Sequence, residues 1–69
     1  KEELLRWVRD HFDCLTERQQ IYIELRYFRG MSYGEIGVLM QTSRPCVYRA
    51  VKRAERTLHK AAVQEGLAT

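Results

Sequence analysis

The feature that most limits what this chain can fold into is its punctuation. Between Thr16 and Ser43 it carries four helix signals in close succession. Thr16-Glu17-Arg18-Gln19 has the form of a capping box, in which the Thr16 hydroxyl accepts the amide three residues on and Gln19 reaches back to the Thr16 amide. Gly30 is a stop, because glycine takes the left-handed C-terminal cap without strain. Ser32-Tyr33-Gly34-Glu35 is a second capping box only two residues later, and Ser43 caps again. Pro45 then falls in a first helical turn, where its missing donor costs nothing. Such a chain has room only for short helices joined by connections of two to four residues.

The apolar spacing fills this frame. Leu5, Val8 and Phe12 recur at i, i+3, i+7, and Leu4 and Trp7 widen the stripe. A second helix carries Ile21, Leu25 and Phe28 on one face and Ile23 and Tyr27 on another. The third presents Tyr33, Ile36, Leu39 and Met40, and the fourth presents Val47, Ala50, Val51, Ala54, Leu58 and Ala61 until Gly66 ends it. No stretch alternates like a strand. The expectation is a single all-α domain over residues 1–69, with four helices at about 2–12, 17–29, 33–40 and 44–64. At 69 residues the chain buries only about 60% of its unfolded surface, so its stability is expected to be small.

Several classes are disfavoured. No apolar run is long enough for a membrane span and no signal-peptide pattern opens the chain, so a cytoplasmic protein with no membrane partner is expected. Cys14 and Cys46 lack partner spacing and, with His11 and His59, do not make a zinc ligand set, so reduced thiols and neither metal nor cofactor are expected. There is no glycine-rich phosphate loop, no paired carboxylates on a common face and no nucleophile–base pair, which argues against an enzyme. Asp10 and Asp13 read as solvated charge.

The formal charge of +3 is unevenly placed. Residues 1–31 balance six basic against six acidic residues. Residues 44–60 hold Arg44, Arg49, Lys52, Arg53, Arg56 and Lys60 against Glu55 alone. Concentrated positive charge points to a polyanionic partner. A short capped helix, a tight turn and a longer basic helix together have the helix-turn-helix layout. Gly37 stands where the two helices would approach closest. It costs about 1 kcal/mol relative to alanine in a helix, which suggests a packing reason for its presence.

Once the apolar stripe is removed from the fourth helix, Arg44, Tyr48, Arg49, Lys52, Arg53 and Arg56 remain on its outer side. Recognition helices reach base edges from their N-terminal end and meet phosphate further along. Arg44, Tyr48, Arg49 and Arg53 are therefore candidates for base contact, with Pro45 and Cys46 suited to a thymine methyl. Lys52, Arg56 and Lys60 are candidates for phosphate, as are the Ser43 hydroxyl and the first amides of the helix.

The run Leu15-Thr16-Glu17-Arg18-Gln19, then Leu25-Arg26-Tyr27-Phe28-Arg29-Gly30-Met31-Ser32-Tyr33-x-Glu35-Ile36, then Ser43-Arg44 and Val47, resembles region 4 of bacterial sigma factors. The likeness spans about Leu15 to Leu58. It implies that the fourth helix reads an upstream (−35-type) promoter element through positions matching Arg44, Pro45, Tyr48, Arg49 and Arg53. It also implies that the two preceding helices dock on the β-subunit flap of RNA polymerase. Ile23 and Tyr27 are candidates for that docking surface, unless they pack under the first helix instead. The chain departs from the family pattern at Gln41, where glycine is usual, at Thr42, where an apolar residue is usual, and at Pro45 and Cys46, which replace polar residues. Two other readings stand beside this one. One is a stand-alone regulator that dimerises through the first helix, using Leu4, Trp7 and the C-terminal alanines. The other is a helical module whose basic helix binds an acidic partner such as an anti-sigma factor.

Overall fold

The computed structural model describes residues 2–66. Helix α1 spans Glu2–Asp10, α2 Glu17–Ile23, α3 Tyr33–Met40 and α4 Arg44–Gln64, and no strand occurs among the described residues. A 3-10 turn at Phe12–Cys14 follows α1, and a π-helical turn at Glu24–Phe28 continues α2. The all-α, four-helix architecture expected from the sequence is the one observed. Residues 1 and 67–69 of the expected domain lie outside the described residues.

Local chemistry sets the helix starts. Thr16 Oγ1 accepts from the Gln19 amide at 3.1 Å, and Gln19 Oε1 accepts from the Thr16 amide at 3.1 Å. The second box repeats the arrangement with Glu35 N to Ser32 Oγ at 3.1 Å and Ser32 N to Glu35 Oε1 at 2.8 Å. The Ser32 backbone and hydroxyl bonds hold the Glu35 carboxyl below its ordinary pKa. Ser43 Oγ accepts from the Cys46 amide at 3.3 Å, with Pro45 in the first turn of α4. These bonds satisfy amides that a helix end otherwise leaves without partners.

The first two helices end differently from expectation. α1 stops at Asp10, and the chain tightens at Phe12 instead of continuing as α-helix. The Gln20 side-chain amide fixes this corner by donating to the carbonyls of Phe12 at 2.7 Å and Leu15 at 3.1 Å. Leu15, just ahead of the Thr16 cap, is thereby turned into the core at 6% exposure.

In the π-helical turn, Arg29 N bonds Glu24 O, five residues back, at 3.1 Å. Gly30 takes φ 71° and Met31 N closes the end on Leu25 O at 3.1 Å. The inserted residue shifts the helical phase, so that residues before and after it no longer share one 3.6-residue stripe. The inner face is consequently Tyr22 and Ile23, while Ile21, expected inside, is 45% exposed.

The core consists of Leu15, Tyr22, Ile23, Ile36, Val47, Val51, Ala54 and Leu58. Trp7, Val8, Phe12, Leu25, Phe28 and Met31 pack around it. On α3, Ile36 and Gly37 are buried, but Leu39 is exposed and so is its neighbour Val38, which corrects the expected apolar face. α1 is tied down at both of its sides. Arg9 lies 4.4 Å over the Phe28 ring, and Trp7 stacks on His11 with ring centroids 4.0 Å apart. Trp7 Nε1 donates to Glu65 at 3.1 Å, and His11 Nε2 pairs with the same carboxylate.

Candidate nucleic-acid interface

The turn between α3 and α4 positions the candidate interface. Gln41 adopts φ 56°, ψ 47°, the left-handed conformation that usually falls to glycine. Thr42 N closes on Gly37 O at 2.8 Å, and Ser43 follows as the cap of α4. Gly37 is required here, because a Cβ on it would stand 2.8 Å from Thr42 O and 3.5 Å from Arg44 N. The close approach is therefore to the backbone of the turn.

With Val47, Val51, Ala54 and Leu58 turned inward, the opposite side of α4 is cationic. Arg44, Pro45, Cys46, Tyr48, Arg49, Arg53, Arg56 and Lys60 are all exposed. Among the described residues none of Arg44, Arg49, Arg53, Arg56 and Lys60 takes part in an ion pair. The Ser43 hydroxyl, although it accepts from Cys46, keeps its own hydrogen for another partner.

Lys52 is different. Its ammonium lies 3.3 Å from Glu55 and 5.4 Å from the Tyr48 ring. It belongs to a cluster that sequence reasoning missed. Tyr48 meets Tyr33 edge to face at 5.3 Å, and Arg26 lies 4.6 Å over the other member of that pair, Tyr33. Arg26 also donates to Met31 O at 3.0 Å, and the Tyr27 hydroxyl donates to Glu55. Burial raises the pKa of the Glu55 carboxyl, while the charge of Arg26 opposes the rise. The cluster joins the π-helical turn, the start of α3 and the stretch of α4 from Tyr48 to Glu55. No local pattern announces contacts of that range.

Ile23 is 0% exposed, which removes it as a docking residue and shows that it packs in the core. Tyr27 is 44% exposed and lines an apolar groove with Leu4, Trp7 and Val8 of α1 and with Leu58 and Ala62 of α4. Cys14 and Cys46 are free and exposed, and no group of residues suited to a metal occurs among those described. No helix in the described residues is long and apolar enough to cross a membrane.

The sigma-70 region 4 family profile matches residues 5–58, from within α1 through α2 and α3 to Leu58 in α4. The chain belongs to the sigma-70 region 4 family. Among curated relatives, this region 4 domain is 50% identical over 44 residues to a UPF0122 protein of Desulforamulus reducens, covering 64% of the chain and 38% of that protein. It is 44% identical over 46 residues to the UPF0122 protein OB1530 of Oceanobacillus iheyensis, covering 67% of the chain and 44% of that protein. The matched part is thus less than half the length of either relative. No solved structure gives a significant match to the domain.

Proposed function

We propose that this region 4 domain binds double-stranded DNA in transcription initiation. In this reading α4 enters the major groove from Arg44 onward at a −35-type promoter element, and the domain docks on core RNA polymerase. The observation that carries the reading is the outward stripe of Arg44, Arg49, Arg53, Arg56 and Lys60, without ion-pair partners among the described residues and set behind a short capped helix and a tight turn. Arg44, Pro45, Tyr48 and Arg49 occupy the first two turns of α4, from which recognition helices reach base edges. Arg53, a turn further, is the last side chain placed to do so. Ser43, Lys52, Arg56 and Lys60 contact phosphate. Lys52 does so from its contact with Glu55, which lowers its share of the attraction.

Docking on the β flap uses the exposed Tyr27, without the buried Ile23. The test is selection of bound sequences from random DNA with and without core polymerase. A site enriched only with polymerase, together with retention of the domain on isolated β flap, is the expected outcome. Failure to enrich any sequence in either case would end the reading.

A second reading, a stand-alone regulator acting as a dimer, draws on the groove between α1 and α4. Leu4 at its rim is 63% exposed and Val63, near the end of α4, is 42% exposed. A palindromic site selected without polymerase by a dimer would favour it. The remaining alternative, an acidic protein partner such as an anti-sigma factor, requires negligible DNA affinity even at about 50 mM salt.

A further inference from the structure

Tyr48 stands in the second turn of α4 and is 46% exposed, yet its ring is held from more than one side. Tyr33 meets it edge to face, with centroids 5.3 Å apart and planes at 85°, and the Lys52 ammonium lies 5.4 Å from its centroid. Each of these neighbours is itself fixed. Tyr33 is the first residue of α3, directly after the Ser32 cap, and the Arg26 guanidinium lies 4.6 Å over its ring. Arg26 in turn donates to Met31 O at 3.0 Å, and Lys52 is drawn to Glu55 at 3.3 Å.

A second observation is the route that these contacts take. Glu55 accepts from the Tyr27 hydroxyl, and Tyr27 follows Arg26 in the π-helical turn. The contacts therefore run from Arg26 through Tyr33, Tyr48, Lys52 and Glu55 back to Tyr27, a closed circuit that begins and ends at adjacent residues. π-Helical turns occur frequently at functional sites. A ring fixed in the free protein has given up its rotational freedom before a partner arrives, so binding need not remove it. It also offers a single shape to a base edge, which favours one base pair over the others. Lys52 is assigned to phosphate above, and movement toward DNA would loosen its side of the grip. The constraint that persists is the one from Tyr33.

We propose that Tyr33, backed by Arg26, is a positioning residue that holds the Tyr48 ring in the orientation from which it reads a base pair. Neither Tyr33 nor Arg26 touches the base, and both act through Tyr48. The assignment rests on the DNA-binding reading above. It gives the π-helical turn a part in sequence preference, although that turn precedes the helix-turn-helix.

The experiment compares the wild-type domain with Tyr33→Phe, Tyr33→Leu, Arg26→Gln and Tyr48→Ala, and with Tyr33→Leu combined with Tyr48→Ala. Affinity is measured on the selected duplex, on its single-base-pair variants and on a random duplex, over a range of salt. Tyr33→Leu is expected to weaken the selected duplex about two- to tenfold, the worth of one aromatic pair. The loss should fall on the base pair whose preference Tyr48→Ala also relaxes, with random-duplex affinity and salt slope unchanged. Tyr33→Phe keeps the ring contact and should behave as the wild type. Arg26→Gln loses the charge over Tyr33 but keeps a donor for Met31 O, and should relax the same base pair to a smaller extent. In the Tyr48→Ala background Tyr33→Leu should add nothing. Additive losses would make Tyr33 independent of Tyr48 and overturn the proposal. An equal loss on both duplexes in Tyr33→Phe would put its hydroxyl on the DNA directly, and would overturn it too.

A measurement without DNA tests the contact itself. In the free domain the Tyr48 ring proton signals should be displaced by the neighbouring ring, and the displacement should persist in Tyr33→Phe and vanish in Tyr33→Leu. Unchanged signals in Tyr33→Leu would show that the rings do not meet in solution, and would overturn the proposal whatever the DNA result. If Tyr33→Leu does not fold, Arg26→Gln decides, and an unaltered preference at the Tyr48 base pair would overturn the proposal. A wild-type domain that selects no sequence would defeat the functional reading. A selected site that Tyr33→Leu reads as the wild type does would defeat this inference alone.

Discussion

A Cβ built on Gly37 lies 2.8 Å from the carbonyl oxygen of Thr42, closer than such atoms approach in real structures. The obstacle is backbone in the turn of the helix-turn-helix, and it cannot swing aside as a side-chain tip would. Gly37→Ala is therefore expected to destabilise the domain, although alanine is favoured over glycine in a helix by about 1 kcal/mol. Overpacking of this kind costs about 1–3 kcal/mol, and Gly37→Leu should cost more. In a domain this small each kcal/mol shifts the melting temperature by roughly 4–8 °C. A melting curve for Gly37→Ala at or above the wild-type midpoint would show that the turn moves.

Gln41 gives the opposite expectation from the same turn. Its φ of 56° is one that side-chain-bearing residues adopt at a cost of about 1–2 kcal/mol. Gln41→Gly removes that cost and gives back part of it as unfolded-state entropy. A net gain of about 0.5–1 kcal/mol is expected, read from the urea midpoint at unchanged slope. A loss would mean that the Gln41 side chain makes a contact of its own.

The clasp between α1 and the end of α4 is expected to make stability depend on pH. The hydrogen bond to Glu65 raises the pKa of His11 above 6.5, helped by the bond to the Trp7 carbonyl. The bond from His11 lowers that of Glu65, helped by Trp7. A raised histidine contributes fully below its unfolded pKa and loses the contribution as pH rises through its folded one. A lowered carboxylate contributes above its unfolded pKa and loses the contribution as pH falls through its folded one. The clasp is thus strongest at mildly acidic pH and weakens above 6.5. The melting temperature of the wild type should fall between pH 6 and pH 8 relative to His11→Ala. Parallel profiles for the two proteins would show that the pair does not form in solution.

On DNA, Arg49 and Lys60 are expected to behave differently, though both are exposed and basic. Arg49→Ala should lose about 1–3 kcal/mol on the selected site and relax the preference at one base pair. Lys60→Ala should weaken all sequences alike and flatten the salt dependence. Equal losses of Arg49→Ala on specific and random duplexes would place Arg49 on the backbone. An unchanged salt slope in Lys60→Ala would place that residue outside the interface.

How far the sequence could be read depended on how local the deciding contact was. The starts of α2, α3 and α4 follow from hydroxyls and partners three residues apart, and they lie where the caps put them. The inward stripe of α4 is an uninterrupted helix pattern, and its outward cations follow from it. α2 was harder, because a single additional residue in the π-helical turn breaks the 3.6-residue phase and exchanges Ile21 for Tyr22 and Ile23. Leu15 was missed because its burial depends on Gln20 fixing the 3-10 corner. The cluster of Arg26, Tyr33, Tyr48 and Glu55 joins three elements, and only the folded chain brings it together.

The widened turn at Glu24–Phe28 works as a phase adjuster between two halves of one rod. Ahead of it, side chains are timed to meet the interior; within it, Arg26 and Tyr27 are timed to meet Tyr33 and Glu55. Removing one residue there would swing the downstream pair by about 100°, the angular step of a regular helix. The inner face that this phase gives α2 would change, and the aromatic brace behind Tyr48 would come apart.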